Sequence, residues 1–407
     1  MSAFAGIRKL LLNDCFNPFA LALVDVPSSG KTITLNFFEV PELSYPTDAF
    51  SPAAFVSHSS NVGRDELDKV DLLPRIRFRT MIVRDLAPIF GAKEDDLLKT
   101  LGILTRVLDG EGLQIESGVH GSRGYQGDYL FMLLAGATPI PPRVFKLMGT
   151  LGSRLLFLSL QTPSKSHDEL IAQNRASSRR QSERVCRDVT TNLLRTLWQR
   201  YPNGLDWQTV DDPESCLRVI ARCAKLLACL RGTIQTWSDG GDAVSLDVGS
   251  IEHPDRINCL LHNLARGHAL LSGRDQLSDE DMAPVLEVTF DSAPTLRAKV
   301  FRALADNGGE LRTSEVEVVL GASKPTALKV MAVLDVLGVA EKIKIASQKP
   351  EPPPPPPTDE PQDEWKELAR KIEAKEGRSE HLIRLAAQFG WFASDECKAL
   401  RWKGVVA

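Results

Sequence analysis

The residues best suited to chemistry in this 407-residue chain are Lys31 and Thr32, within the stretch "LALVDVPSSGKTITLNFF". Glycine, lysine and a hydroxyl residue after an apolar run form the pattern of a loop that cradles phosphate with its backbone N–H groups. In that chemistry Lys31 reaches the β- and γ-phosphates and the Thr32 hydroxyl holds Mg2+. Pro27, Ser28, Ser29 and Gly30 are short residues that let the backbone wrap closely. One position departs from the pattern: Asp25 stands where the first glycine belongs and brings a carboxylate within reach of phosphate. Asp tolerates a left-handed turn better than most residues, so its backbone cost is small. The competing explanation is a turn that reads "GKT" by coincidence.

A phosphate loop needs a strand before it and a helix after it. "ALALVDV" is the strand, and "TITLNFF" can begin the helix. Through residue 163 the chain goes on alternating strand-like runs ("AAFVSH", "RTMIVRD", "YLFMLLAGAT") with polar connections and the helix "DDLLKTLGILTRVLDG". That alternation predicts an α/β domain with a mostly parallel sheet. Residues 164–290 read as all-helical. Residues 291–346 run helix, turn, helix, helix and strand, the order of a winged helix-turn-helix with Ser323 to Leu337 as its recognition helix. Residues 347–364 carry "PEPPPPPPTDEPQDE", a proline and acid tract expected to be an extended linker. Residues 365–407 read as a tethered helical tail, "EWKELARKIEAKEG" followed by "SEHLIRLAAQFGWF".

A net charge of −4 gives no whole-chain attraction to nucleic acid, so any such surface must be a local patch. The seven cysteines contain no C-x-x-C pair, and Cys216, Cys223 and Cys229 are spaced for one side of a helix. Buried thiols in a reduced, cytoplasmic setting are the expectation. The opening residues mix charge and proline into their apolar run, which predicts neither a signal peptide nor a membrane span. The seven histidines lack the spacing of a metal cluster.

"PSSGKT", "LTRVLDGEGLQIESGVHGSRGYQGDYLFMLLAGATPIP", "LGSRLLF" and "EHPDRINCLLHNLARGHALLSGRDQLSDEDMAPV" together, in this order and spacing, resemble a AAA+ ATPase of the helicase clade that includes the minichromosome maintenance proteins. The resemblance covers about residues 10 to 345 and rests on the ordered set of motifs. It implies a parallel-sheet ATPase domain, a helical lid and a winged helix, with ATP and Mg2+ as ligands. By this resemblance Asp85 organises the metal, and Leu86 replaces the glutamate that would orient the attacking water. Glu66, Glu94 or another acid could take that part instead. Thr138 senses the γ-phosphate, Arg154 is the finger that reaches a neighbouring subunit's nucleotide, and Arg256 is the second sensor. A finger acting in trans implies a homo-oligomer, a ring or partial ring.

Nucleic acid has three candidate surfaces. Asp109 to Asp128 holds six glycines between apolar elements; in the resembling helicases a hairpin here enters the pore and grips DNA, which puts His120, Arg123 and Tyr125 at its tip. Arg175, Arg179, Arg180, Arg184 and Arg187 form a basic stripe if the segment is helical. The winged helix supplies Lys324, Lys329, Lys342 and Lys344. Trp365, Trp391, Phe392 and Trp402 make the tail a candidate for docking a partner protein. Two functions stay open: an ATP-dependent motor that remodels or unwinds DNA, and a catalytically degenerate scaffold or DNA-binding protein with nucleotide as a structural ligand. A nucleotide-regulated transcription factor is a variant of the second.

Overall fold

The computed structural model describes residues 11–57, 66–117, 121–152, 154–175, 179–238, 244–345 and 380–401. The chain divides into two compact units: residues 1–234, 248–294 and 399–407, and residues 235–247 with 295–398.

The first unit is built on β1 (Ala20–Val24), α1 (Lys31–Asn36), β2 (Ser44–Thr47), α2 (Pro52–Phe55), α3 (Leu72–Ile76), β3 (Thr80–Val83), α4 (Ala87–Phe90) and α5 (Glu94–Val107). It continues through β4 (Gly112–Ser117), β5 (Gly121–Gln126), β6 (Met132–Ala137), α6 (Pro142–Leu151) and β7 (Leu155–Ser159). Five strands form one sheet in the order β2-β3-β6-β1-β7, and every pair in it is parallel. β3 and β6 are buried at every position, as their unbroken apolar runs require of strands covered on both faces. α5 opens with Glu94, Asp95 and Asp96 in its first turn, where the helix dipole favours them. Its Leu97, Leu101, Leu104 and Val107 recur at helical spacing and enter the core.

The longer helices that follow β7 in this unit are α7 (His167–Arg175), α8 (Arg179–Arg200), α9 (Glu214–Arg231), α10 (Asp255–Leu271) and α11 (Met282–Asp291). The end of α11 covers the free edge of β7. Phe157 N–H donates to Ser292 Oγ at 2.8 Å, and Ser159 N–H donates to Asp291 Oδ2 at 2.7 Å. Those bonds satisfy backbone groups that an edge strand would otherwise expose.

Three sequence expectations need correction. "AAFVSH" is not a strand: Pro52 starts a helical turn that buries Phe55, and His58 lies outside the described residues. Residues 164–290 are not all helical, because β8 (Thr233–Ser238) and β9 (Val244–Ser250) form a two-stranded sheet within them. The β-branched Thr233, Ile234 and Thr236 of "TIQT" are the local signal.

The third correction is the tail. The second unit runs α12 (Thr295–Asp306), β10 (Glu310–Arg312), α13 (Thr313–Leu320), α14 (Lys324–Val336), β11 (Ala340–Ile345), β12 (Glu380–Leu385) and, as far as Lys398, α15 (Asp395–Leu400). β12 is the middle strand of an antiparallel sheet ordered β10-β12-β11, with Ile383 opposite both Leu311 and Lys342. "HLIRL" therefore extends rather than coils, and it buries Ile383 and Leu385 while Arg384 faces out. Phe389 and Phe392 are buried too, and Phe392 meets Phe301 edge-on at 5.4 Å. The tail is part of this unit's core, so Phe392 is not a free docking residue. The boundary at 346 cuts a sheet in two. The proline tract and Trp365 lie outside the described residues, as does Trp402.

Candidate nucleotide site

β1 delivers the chain to the C-terminal edge of the sheet, where residues 25–30 turn into α1. Ser28 and Gly30 both take left-handed backbone angles, φ 67° and φ 93°. Gly30 has open space where a side chain would be, so a ligand can approach its backbone. Lys31 folds back over the loop and donates from Nζ to Asp25 O at 2.8 Å, Val26 O at 2.7 Å and Ser29 Oγ at 3.2 Å. Thr32 is exposed. α1 has only six residues, shorter than the sequence suggested, so the loop amides and Lys31 must carry any hold on phosphate.

The Asp25 carboxylate is tied both to Thr162 and to the loop backbone. Its Oδ2 accepts from Thr162 Oγ1 at 2.6 Å and Thr162 N–H at 3.1 Å, and its Oδ1 accepts from Val26 N–H at 2.7 Å. Desolvation opposes ionisation here, but the Thr162 bonds, the Val26 bond and the Lys31 charge outweigh it and hold the carboxyl below its usual pKa. Thr162, just beyond β7, carried no sequence signal.

Asp85 and Thr138 reach the same edge. Asp85 follows β3, is exposed, and uses Oδ1 to accept from Ala87 N–H at 2.8 Å, thereby starting α4. Thr138 follows β6, whose Ala137 O accepts from Asp25 N–H at 3.3 Å. These placements suit a nucleotide with Mg2+, held by Lys31, Thr32 and Asp85. Leu86 does not suit a water-orienting role, being 1% exposed and part of the core. Glu66 pairs with Lys69, and Glu94 begins α5; both are exposed. Arg84, also missed in the sequence, pairs with Glu39 and Asp48 at 2.7 Å each and braces this edge.

Arg154 and Arg256 lie elsewhere. Arg154 immediately precedes β7, whose Leu155 is paired with Ala20, the first residue of β1. At about 3.3 Å per residue, the strand separates Arg154 from the phosphate loop by roughly 16 Å. Arg256 is beside Arg154: a Cβ added at Gly152 would lie 3.3 Å from Arg154 Nη1 and 3.8 Å from Arg256 Nη1. Arg256 is therefore not beside its own chain's Lys31, contrary to a sensor acting within one subunit. Arg154 is tied to Asp109 at 2.9 Å and donates to Leu151 O and Gly152 O. Burial lowers its pKa most, with Arg256 adding to the effect and Asp109 opposing it. Sequence reasoning missed two neighbours, Arg231 and Glu252.

The hairpin of β4 and β5 exists, but its tip residues 118–120, His120 included, lie outside the described residues. Arg123 and Tyr125 are not at the tip. Arg123 pairs with Ile115 along the hairpin and donates to Ser57 O at 3.4 Å. Tyr125 pairs with Leu113 near the base and donates its hydroxyl to buried Asp71 at 2.8 Å. Burial first, then Asp71, raises the Tyr125 pKa, so the phenol stays protonated. Both side chains anchor the hairpin to the body. Among the described residues of α8, Arg180, Arg184 and Arg187 are exposed.

In the second unit Lys324 and Lys329 lie on α14, and Lys342 and Lys344 on β11. Lys324, Lys342 and Lys344 collect around His381, whose pKa is lowered by burial first and then by these charges. Among the described residues no group of three His, Cys, Asp or Glu side chains is placed to hold a metal alone, and no helix is long and apolar enough to cross a membrane. Compared with known proteins, the chain matches no family model and no curated protein.

Proposed function

We propose that this chain is a AAA+-type ATPase that works as an oligomer and remodels DNA. The observation that carries the reading is the two-ended sheet. Lys31, Thr32, Asp85 and Thr138 gather at one edge, and Arg154 with Arg256 at the other. A phosphate bound by one copy would meet these arginines only from a second copy. The strand order β2-β3-β6-β1-β7, the hairpin ahead of β6 and the helical layer after β7 support the same family reading. The order of elements in the second unit supports a winged helix, and its lysine cluster supports contact with phosphate backbones.

In this reading the loop amides and Lys31 bind and orient the phosphates, while Thr32 and Asp85 hold Mg2+. The bound metal would neutralise charge developing on the transferred phosphoryl group. Arg154 and Arg256 of the adjacent copy stabilise that charge from the far side, a contribution worth about 10³- to 10⁵-fold in related chemistry. Asp109, which holds Arg154 in the single chain, is the anion that the phosphate replaces. Buried Leu86 favours the second reading, a scaffold in which nucleotide drives assembly but turns over slowly or not at all.

The test is ATP turnover and nucleotide-driven assembly of wild type, Lys31→Ala, Arg154→Ala and an equal mixture of the two variants. Each variant alone is expected to be inactive. Random mixing restores roughly a quarter of the sites, because each repaired site takes its loop from one variant and its arginine from the other. No recovery in mixtures shown to co-assemble would refute the shared site. Nucleotide-driven assembly without turnover in wild type would select the scaffold.

A further inference from the structure

Two guanidinium groups converging on Gly152 repel one another, so something must hold them together. Asp109 serves Arg154 from one side. Arg256 makes no hydrogen bond or ion pair to a carboxylate among the described residues. Glu252, four residues before Arg256 on the segment leading into α10, is placed next to this pair by Arg231, which approaches Glu252 and also donates to the carbonyl of Leu155, the residue after Arg154. Its side chain is 18% exposed, and its Oε1 lies 3.9 Å from Arg231 Nη1.

Arg231 is fixed and fully buried. It donates from Nε to Ser292 O at 3.0 Å and from Nη2 to Leu155 O at 2.7 Å, joining α9, the end of α11 and the first residue of β7. Its Nη1 has no hydrogen-bond partner and points toward Glu252. A Cβ on Gly149 would come 3.1 Å from Arg231 O, so α6, which leads to Arg154, also packs closely against this post. Counting Arg106, which shares Asp109 and also pairs with Glu111, four arginines face three carboxylates, leaving one excess positive charge. Burial pushes the Arg231 pKa down to about 10 and raises that of Glu252, with the arginine charges resisting the latter shift. The charged pair is held against a desolvation cost, which a purely packing role would not require.

We infer that Glu252 is a positioning residue that holds Arg154 and Arg256 as one pair facing the neighbouring copy's nucleotide, with buried Arg231 as its fixed post. The inference rests on the shared-site reading. Glu252 never touches the phosphate; it acts through the two arginines that do. Its loss leaves the chain's own phosphate loop intact and disables the opposite edge.

The experiment uses full-length Glu252→Gln, which keeps shape and removes charge. Turnover and nucleotide-driven assembly are read alone and in equal mixtures with Lys31→Ala or Arg154→Ala. Alone, the variant is expected to lose about tenfold or more in turnover, and to need a correspondingly higher protein concentration to assemble. Titrated at protein concentrations too low for assembly, a fluorescent ATP analogue binds its loop with unchanged affinity. Lys31→Ala, which has an intact arginine edge, rescues it; Arg154→Ala, damaged on the same edge, does not. A merely unstable variant would not be rescued selectively, and thermal melting reads that directly. Wild-type turnover and assembly by Glu252→Gln, weakened binding of the analogue, or rescue by Arg154→Ala would overturn the inference. Failure of Lys31→Ala and Arg154→Ala to rescue each other would remove the shared site beneath it.

Discussion

Asp25 stands where the phosphate-loop pattern has a glycine, and Thr162 holds its Oδ2 with two hydrogen bonds. The pair is separated by 137 residues, so the loop could be read from "PSSGKT" while the partner that holds Asp25 could not. Thr162→Val removes the hydroxyl, the shorter of the two bonds to Oδ2, and leaves only the backbone N–H to restrain the carboxylate. ATP affinity is expected to fall about five- to tenfold, the order of one charge interaction at a partly exposed site. Asp25→Asn in that background restores it. Titration of a fluorescent ATP analogue checks both, and an unchanged affinity in Thr162→Val would show that Asp25 needs no restraint. Arg154 drew attention only through the resemblance of "GSRLLF" to the arginine-bearing segment of the helicase-clade ATPases. Glu252 and Arg231 did not, since their meaning comes from three separate elements meeting.

At the scale of elements, the central strands were legible because parallel strands buried on both faces leave unbroken apolar runs. "LALV", "TMIV" and "MLLAGA" carry that mark, and they are β1, β3 and β6. β12 carries no such mark. Its Leu and Arg favour a helix locally, and pairing with β10 and β11 overrides that preference. The hairpin was found by its glycines, but not the direction of its anchors. A Cβ on Gly124 would come 2.0 Å from Leu113 O, so glycine there permits close strand approach as well as a bend. A chain ended after residue 346 loses the middle strand and the buried Ile383, Phe389 and Phe392. Residues 295–345 are expected to lose hydrogen-exchange protection throughout, with the cost of each large buried side chain about 2–5 kcal/mol. Full protection in the truncated chain would mean that β10 and β11 form a stable sheet without β12.

At the scale of the whole molecule, the proposed function places the phosphate-holding and the charge-stabilising groups at opposite ends of one sheet, so that in this reading one chain is an incomplete unit. Opposite edges that must meet describe a head-to-tail association, which closes into a ring or continues as a filament. The net charge of −4 does not itself draw the assembly to DNA, which leaves local patches such as the Lys324, Lys342 and Lys344 cluster to do so. The most direct measurement is ATP turnover per chain as a function of protein concentration, with ATP saturating and sedimentation velocity read in parallel. Turnover per chain should rise from near zero as copies associate, follow the assembled fraction, and then level off. Full turnover from chains that sediment as monomers would contradict a site shared between copies.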